Sequence, residues 1–273
     1  MTGRATMLRY DLAAMVPPKR RRGQKALPPI DVPLNVEIEY RRALTGYLDR
    51  LQQVALTNTL PAAMARMSDG ALVIDADESV MAEFEATRRS LLETVKDMVR
   101  RILWLETDRH TRKWAAAVKK ALGVDIAAII RAEDLQGPLG RMTDWSVSLI
   151  TNLSDEVRSK VASAVQSAMV QGQDRNSLAT ALRNVFEVSK RRAALIARDQ
   201  LAKANSLFNQ FRHQQAGIEE YSWSTSADER VRPLHRSLEG NVYRYGEKTG
   251  AEEGLPPGQP INCRCVALAI VKF

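Results

Sequence analysis

The chain has 273 residues, of which 45% are apolar and 26% charged, and this is the composition of a globular protein with a sizeable core. Its 14 glycines, 11 prolines and 5% aromatic residues are few for a strand-rich protein, so the composition favours helices. No apolar run approaches the roughly 18 residues that span a bilayer, and Arg9 and Asp11 interrupt the stretch where a signal peptide is continuously apolar. The sequence therefore excludes a disordered protein and predicts no contact with a membrane.

The excess positive charge is concentrated near the N-terminus. Residues 1–35 hold seven Lys and Arg against two acids, residues 36–217 hold 26 against 22, and residues 218–273 hold seven against eight. The net charge of +8 therefore comes mostly from a short segment, and a polyanion would meet that segment first.

Five prolines surround a run of four cations in this N-terminal segment. Proline removes backbone donors and adjacent cations repel each other, so we expect an extended arm without a core of its own. The four cations are either a solvated tail or a binding site for DNA or a protein partner. They are Lys19, Arg20, Arg21 and Arg22.

Apolar spacing predicts two helices in the first half of the chain. Apolar residues within 36–66 step by four, three and four, and Pro61 is expected to bend or divide this helix. A longer helix is expected from about 78 to 122, after a loop at Asp69 and Gly70. The two stripes are Leu44, Leu48, Leu51 and Ala55, and then Leu91, Val95, Met98, Ile102, Leu105, Trp114, Val118 and Leu122.

The next segment, residues 123–153, is less regular. Its glycines and proline predict a turn at Gly137, Pro138 and Gly140. Ser154 has the side chain of a helix N-cap, and the two acids after it suit the positive end of a helix dipole.

Two more helices are predicted beyond Gly172, which ends the helix capped by Ser154. A short helix is expected at 176–187, and Ser189 is expected to begin a long one that runs to about residue 215 and ends at Gly217. The apolar stripes are Val157, Val161, Val165 and Ala168, and then Ala197, Leu201, Ala204, Phe208 and Phe211.

The pattern changes to short β-prone segments after this helical region. Tyr221 and Trp223 alternate with serines, and further segments follow at 242–243 and 266–271 between stretches rich in glycine and proline. These segments are too short for helices and predict a small sheet.

The predicted fold is mainly α. An extended basic arm at residues 1–35 precedes an elongated helical body at 36–217, and a small α/β C-terminal module at 218–273 carries a short antiparallel sheet. A module of about 55 residues is marginal in stability unless it docks on the helices or binds a metal.

The histidines and cysteines are few. His110 and His213 lie among charged neighbours on predicted helices and are interpreted as structural or solvated. Cys263 and Cys265 are one residue apart, so a disulfide between them would close a small strained ring, and both are expected to be thiols in a reducing compartment. No phosphate-binding loop, dinucleotide fingerprint, His-Glu-x-x-His or Gly-x-Ser-x-Gly motif occurs, which removes the support for most common enzymes.

The C-terminal module contains an ordered series of dispersed motifs. They are Trp223, Asp228-x-Arg230, His235, Gly240, Pro256-Pro257-Gly258 and Asn262-Cys263-Arg264-Cys265. Their order resembles the head-morphogenesis domain of the Mu F-like minor head proteins of tailed phages. Upstream, Gly172, Ser177 and the segment 192–198 are also similar to that family, so the resemblance covers about residues 150–273.

The resemblance implies a structural protein of the phage head rather than an enzyme. It implies a place near the portal vertex, a role in head morphogenesis and DNA packaging or delivery, and a location in the virion and, during assembly, in the host cytoplasm. The expected partners are the portal protein and the major capsid protein, with packaged DNA reached through the arm. The alternative is a metal-dependent enzyme that acts on nucleic acid or protein through the C-terminal module.

A metal site is the main chemical hypothesis for the module. Many relatives have Cys-x-x-Cys where Arg232 and His235 stand here, which leaves His235, Cys263 and Cys265 as ligands, with Asp228 as the candidate fourth and zinc as the candidate ion. In the competing interpretation, the thiols pack as small apolar groups and His235 forms hydrogen bonds. A Cys-His nucleophile is a further alternative. Asp228 is expected to form a local ion-pair and turn-fixing cluster with Arg230 and Arg232 rather than an acid/base pair.

Overall fold

The computed structural model describes residues 9–68 and 78–273, and the loop predicted at Asp69 and Gly70 lies outside them. The described residues are mainly helical, with a four-stranded antiparallel sheet built largely from the C-terminal region, as predicted. The helices are α1 (Leu12–Met15), α2 (Leu34–Val54), α3 (Leu60–Ser68), α4 (Glu78–Leu122), α5 (Gln136–Gln171), α6 (Arg175–Gln215) and α7 (Pro233–Ser237). The strands are β1 (Gln24–Ala26), β2 (Glu220–Ser224), β3 (Val242–Arg244) and β4 (Val266–Lys272). None of these helices is long and apolar enough to cross a membrane.

The helix predicted at 36–66 is divided as expected from Pro61. α2 and α3 are joined by one π-helical stretch, Ala55–Thr59, at whose end the Leu60 N–H donates to the Ala55 carbonyl. Pro61 has no N–H to continue the ordinary ladder, so a wider turn just before it is the local accommodation. All four apolar residues predicted for the stripe of this helix are fully buried.

The long helix α4 has the predicted bounds, but part of its predicted apolar stripe is wrong. Val95 and Ile102 are buried, whereas Met98 is 48% and Leu105 is 44% exposed. The buried positions instead include Val99 and Leu103. Over 45 residues a 3.6-residue helix drifts away from a strict four-three spacing, so one stripe does not stay on one face.

Three predicted breaks in the later helices are wrong. Pro138 lies in the first turn of α5, where its missing N–H costs nothing, so no turn separates it from the helix. Ser154 is not a cap but a buried residue inside α5, and its hydroxyl lies 2.6 Å from the Tyr47 hydroxyl. Ser189 lies inside the continuous helix α6, where its hydroxyl donates to the Val185 carbonyl at 2.7 Å.

The sheet has the order β1-β4-β2-β3, and every neighbouring pair is antiparallel. β2, β3 and β4 are the three strands expected from the sequence. β1 was not predicted, because its residues Gln24, Lys25 and Ala26 are all exposed and show no apolar alternation. It pairs with the end of β4, with Gln24 opposite Lys272 and Ala26 opposite Ile270.

Contacts group the described chain into two compact units. One contains the described part of Met1–Leu34 together with Leu103–Met142 and Asp199–Phe273, and the other contains Asn35–Ile102 and Thr143–Arg198. The first unit holds the whole sheet. The division of the chain at residues 35 and 217 stays a prediction.

The first unit contains an apolar cluster, here called the first apolar cluster, that combines the N-terminal segment with α4 and the sheet. Leu12, Val16, Leu27 and Ile30 supply its N-terminal part. The remaining buried members are Trp114, Val118, Leu122, Val124, Ile126, Ile130, Ala216, Ile218, Ala269 and Val271. Residues 9–34 thus share a core with later segments. The sequence did not predict this, because the four buried apolar residues are separated by prolines and cations and show no helix or strand periodicity.

Candidate metal centre

Three short elements position the candidate ligands. His235 lies on α7, which begins at Pro233, and the two cysteines lie in the turn immediately before β4. The loop before them passes close to α6: a Cβ on Gly258 would lie 3.1 Å from the Ala202 carbonyl oxygen, and the φ of Gly258 is +84°. Glycine is therefore required there, because any side chain would meet the helix backbone and strain the loop.

The three predicted ligands meet in the folded module. The Cys263 Sγ lies 3.4 Å and the Cys265 Sγ 3.5 Å from the His235 Nδ1, and the ligand atoms all lie within 4.8 Å of one another. His235 and Cys263 are each 2% exposed and Cys265 is 4% exposed. The proximity that the sequence analysis required for a shared site is therefore present in the structure.

The second nitrogen of His235 is held by a carboxylate. Its Nε2 lies 2.7 Å from Glu252 Oε2, so the Nε2–H donates to Glu252 and leaves the Nδ1 lone pair directed at the two sulfurs. Arg232 lies beside the same pair, with its Nε 3.3 Å from Glu252 Oε1. A carboxylate on the far nitrogen is the usual arrangement for a histidine that binds a metal, because it fixes the tautomer and the ring orientation.

Glu252 was missed by sequence reasoning. It lies 17 residues after His235, in a short 3₁₀ helix, Glu252–Gly254, and no fixed spacing links the two residues. The only available signal was that a metal-binding histidine needs a second hydrogen-bond partner.

The two thiols interact with each other as well as with His235. A hydrogen bond from Cys265 lowers the pKa of Cys263 to about 6. The same bond, together with burial, raises the pKa of Cys265 well above its ordinary value. The pair therefore ionises once readily, and a second negative charge in this buried place needs a cation beside it.

The donor set fits zinc. Two thiolate sulfurs and one imidazole nitrogen are among the usual zinc ligands, with bond lengths of about 2.3 and 2.0–2.1 Å. In a tetrahedron with those lengths, a nitrogen and a sulfur lie about 3.6 Å apart. The observed nitrogen–sulfur distances of 3.4 and 3.5 Å are close to that value, so little movement is needed for all three to bind one ion.

Asp228, the candidate fourth ligand, lies elsewhere. Its carboxylate pairs with the Arg264 guanidinium at 2.7 Å and accepts from the backbone N–H of Arg230. It is not a member of the group formed by the three ligands. This carboxylate therefore fixes a turn and an ion pair, and the sequence-based expectation that its partners would be Arg230 and Arg232 missed Arg264.

A small cavity of about 90 Å³ adjoins the three ligands. Three arginines, Arg230, Arg232 and Arg264, contribute to its wall. The remaining lining residues are Ser226, Val231, His235, Asn262, Cys263 and Cys265. No carboxylate is among them.

The other two histidines are buried in hydrogen-bonded positions. His110 Nε2 donates to Asn209 Oδ1 at 2.9 Å, and His213 Nδ1 lies 2.5 Å from the Tyr245 hydroxyl. Burial lowers the pKa of each to about 3, so both are neutral at physiological pH. The interpretation as structural histidines agrees with these contacts.

Two of the four cations of the basic arm make contacts within the protein. Arg21 donates to the carbonyls of Val16 and Ala14, each at 2.7 Å. The Arg20 guanidinium lies against Gly123, just beyond the C-terminal end of α4, where a helix dipole favours a positive charge. Lys19 and Arg22 are exposed, and within residues 9–68 and 78–273 their side chains form no hydrogen bond or ion pair.

The fold and the site define a helical protein with a small C-terminal sheet and a His/Cys/Cys cluster beside it. Residues 159–268 match the protein family described as Phage Mu protein F like protein. These residues are similar to the phage Mu F-like family, in agreement with the resemblance seen in the sequence, and the match suggests a phage head-morphogenesis protein.

One curated relative is similar to more than half of the chain, and its description names no function. It is an uncharacterized protein of Haemophilus influenzae, 33% identical over 155 residues, which are 56% of this chain and 34% of the relative. The chain therefore spans about a third of that relative's length. No solved structure matches the chain.

Proposed function

We propose that this protein is a structural minor head protein of a tailed phage, sited near the portal vertex and acting in head morphogenesis and DNA packaging or delivery. The observation that carries this proposal is the family match over residues 159–268. The portal protein and the major capsid protein are its partners, the virion is its final location, and the host cytoplasm is where it assembles.

The chemistry of the candidate metal centre supports a role without turnover. A hydrolytic metal site needs a general base near the metal-bound water, and the described residues that line the cavity include no carboxylate. The Cys-His nucleophile also lacks support, because both thiols are buried and have little surface to offer a substrate. The rival interpretation as a metal-dependent enzyme predicts turnover on nucleic acid or protein, which an activity assay on metal-loaded protein tests directly.

The metal itself is part of the proposal. His235, Cys263 and Cys265 bind one zinc ion, which links α7 to the turn before β4 and stabilises the C-terminal module. When bound, zinc supplies a cross-link between two segments that are otherwise joined by a few side chains. Metal analysis of purified protein tests this, with one zinc per chain expected for wild type and none for Cys263→Ser combined with Cys265→Ser.

Incorporation into phage heads tests the function. Heads are purified from cells that produce wild-type or variant protein, and the copies per particle are measured by quantitative mass spectrometry. We expect contacts from residues 1–217 to direct incorporation, so the cysteine double variant enters heads at close to the wild-type level provided that the chain stays folded. Wild-type protein that is abundant in infected cells but absent from heads and their precursors contradicts the proposal.

The contribution of the basic arm is best tested with point variants. Deletion of residues 1–35 removes β1 and four members of the first apolar cluster, so it disturbs the fold as well as the arm. Lys19→Ala combined with Arg22→Ala removes only two exposed charges. A lower copy number for this variant than for wild type is the result expected if the arm contacts a head protein or DNA.

A further inference from the structure

We propose that the metal held by His235, Cys263 and Cys265 keeps one coordination position for a carboxylate supplied from outside this chain. This inference rests on the proposed metal site and goes beyond it, because it assigns a ligand class to the adjoining cavity. The carboxylate enters through that cavity and is held there by the metal and by arginine.

The first argument is the number of donors. Within residues 9–68 and 78–273, the group around the site contains three ligand residues and no fourth. Glu252 accepts a hydrogen bond from the Nε2 of His235, on the side of the ring away from the sulfurs, and Asp228 is paired with Arg264. Zinc in proteins is almost always four-coordinate, and sites with three protein ligands leave the fourth position to water or another ligand.

The second argument is space. The cavity of about 90 Å³ is lined by the three ligands themselves, so a ligand inside it is within reach of a metal that they hold. On the same measure one water molecule needs about 10–15 Å³, so the cavity accommodates a small head group such as a carboxylate.

The third argument is charge. Two thiolates cancel the charge of a divalent zinc ion, so the arginines set the sign of the cavity. Arg264 is offset by Asp228, and Arg232 lies 3.3 Å from Glu252. The Arg230 side chain lines the cavity and makes no hydrogen bond or ion pair with the described residues, so its positive charge is not offset.

An oxygen-donor anion can bind both the metal and the Arg230 guanidinium. Carboxylate oxygen is a normal zinc ligand, and a carboxylate also matches the planar donor fork of a guanidinium. A neutral ligand would leave Arg230 without a partner. An acidic side chain or chain terminus of another protein has this chemistry, as does free acetate, and acetate is the probe for the test.

The experiment uses full-length protein in which cobalt(II) replaces zinc, because cobalt takes the same ligands and absorbs visible light according to its coordination. Acetate is titrated at constant ionic strength, with perchlorate as the balancing, poorly coordinating anion. We expect a saturable change in the visible spectrum. Arg230→Gln should weaken acetate binding at least threefold, since the exposed arginine contributes one charge-assisted contact.

A matched control and two outcomes make the result decisive. Arg236→Gln removes an arginine of the same module that does not line the cavity, and it should bind acetate as wild type does. Protein that binds no cobalt contradicts the metal site itself. If acetate does not change the spectrum of the cobalt protein, or if Arg230→Gln weakens acetate binding less than threefold, the carboxylate site is overturned and the metal site is unaffected.

Discussion

Two apolar clusters in the same unit differ in size and in the kind of residue that they contain. The first apolar cluster contains 14 buried residues from the N-terminal segment, α4, the segment after α4, the segment between α6 and β2, and β4. The second apolar cluster has five buried members, Trp223, Leu238, Ala251, Cys263 and Cys265. Two of those five are the candidate thiolate ligands, so the smaller cluster surrounds the candidate metal centre.

The second apolar cluster buries little apolar surface, so apolar burial alone stabilises the C-terminal module only weakly. Burial contributes about 25 cal/mol per Å² of apolar surface, so a cluster with one tryptophan and a few small side chains contributes much less than the first apolar cluster. Trp223 packs edge-on against the His235 ring, with the ring centroids 5.3 Å apart. In the second cluster the candidate metal ligands are therefore also members of the apolar packing, whereas the first apolar cluster contains no candidate ligand.

Removal of the metal is expected to have the largest effect. Chelation, or His235→Ala, should lower the free energy of unfolding of the C-terminal module by roughly 5–10 kcal/mol, because metal-binding energy becomes folding energy when the ligands are brought together only in the native state. Hydrogen exchange resolved by segment measures this, with loss of protection expected in β2, α7 and the cysteine turn. If amide protection is equal with and without chelator, the second apolar cluster is stabilised by packing alone.

Truncation inside the first apolar cluster should have the next largest effect. Leu12→Ala leaves a cavity among fully buried neighbours and should destabilise the protein by about 2–5 kcal/mol. Met15→Ala on the same short helix is the control, since Met15 is 38% exposed and its loss should cost less than about 1 kcal/mol. Denaturant unfolding measures both, and zinc content should stay at the wild-type level in each variant.

Acid should destabilise the protein through His110 and His213. Their pKa is lowered to about 3 in the folded protein against about 6.5 when unfolded, so the unfolded state binds more protons as the pH falls. Stability is unaffected above pH 6.5 and falls by about 1.4 kcal/mol per pH unit for each histidine between pH 6.5 and 3. His110→Gln and His213→Gln should each flatten this dependence; unfolding midpoints at pH 7 and pH 5 that shift equally in variant and wild type would contradict the assignment.

The smallest expected effect concerns the salt dependence of DNA binding. If the arm contacts phosphates, Lys19→Ala combined with Arg22→Ala should reduce the slope of log affinity against log salt by up to about 1.8, from 0.9 per phosphate on duplex DNA. Arg20→Ala should change the slope less, because its guanidinium packs against the end of α4. Fluorescence anisotropy at several salt concentrations measures the slopes, and identical values for all proteins would remove DNA as the partner of the arm.

Much of the helical architecture was predictable from spacing alone. α4 has the bounds expected from its apolar pattern and terminal signals, and Gly172 and Gly217 follow the ends of α5 and α6 with φ values of +61° and +75°. Breaks inside helices were not predictable, because Ser154 and Ser189 carry capping side chains whose actual partners are a distant tyrosine and a carbonyl of the preceding turn. Local propensity cannot distinguish these uses of a hydroxyl.

The residues of the candidate metal centre could be predicted from the sequence, but their surroundings could not. His235, Cys263 and Cys265 could be inferred because few residues in the chain bind metals and turn-forming residues lie between them. Glu252 and the arginine-lined cavity depend on how the loop at 245–265 folds back, and no periodic pattern encodes that path. The exposed strand β1 was missed for a related reason, since its pairing with β4 depends on backbone hydrogen bonds rather than on side-chain pattern.

The pairing of β1 with β4 also sets the order of events during synthesis. About 240 residues separate the two strands, so at 5–20 residues per second β1 waits roughly 10–50 s for its partner. During that interval Leu27 and Ile30, which are buried in the finished protein, lack the sheet that later covers them. The nascent chain is therefore open to capture by chaperones for most of its translation, and closure of the sheet is a late step of folding.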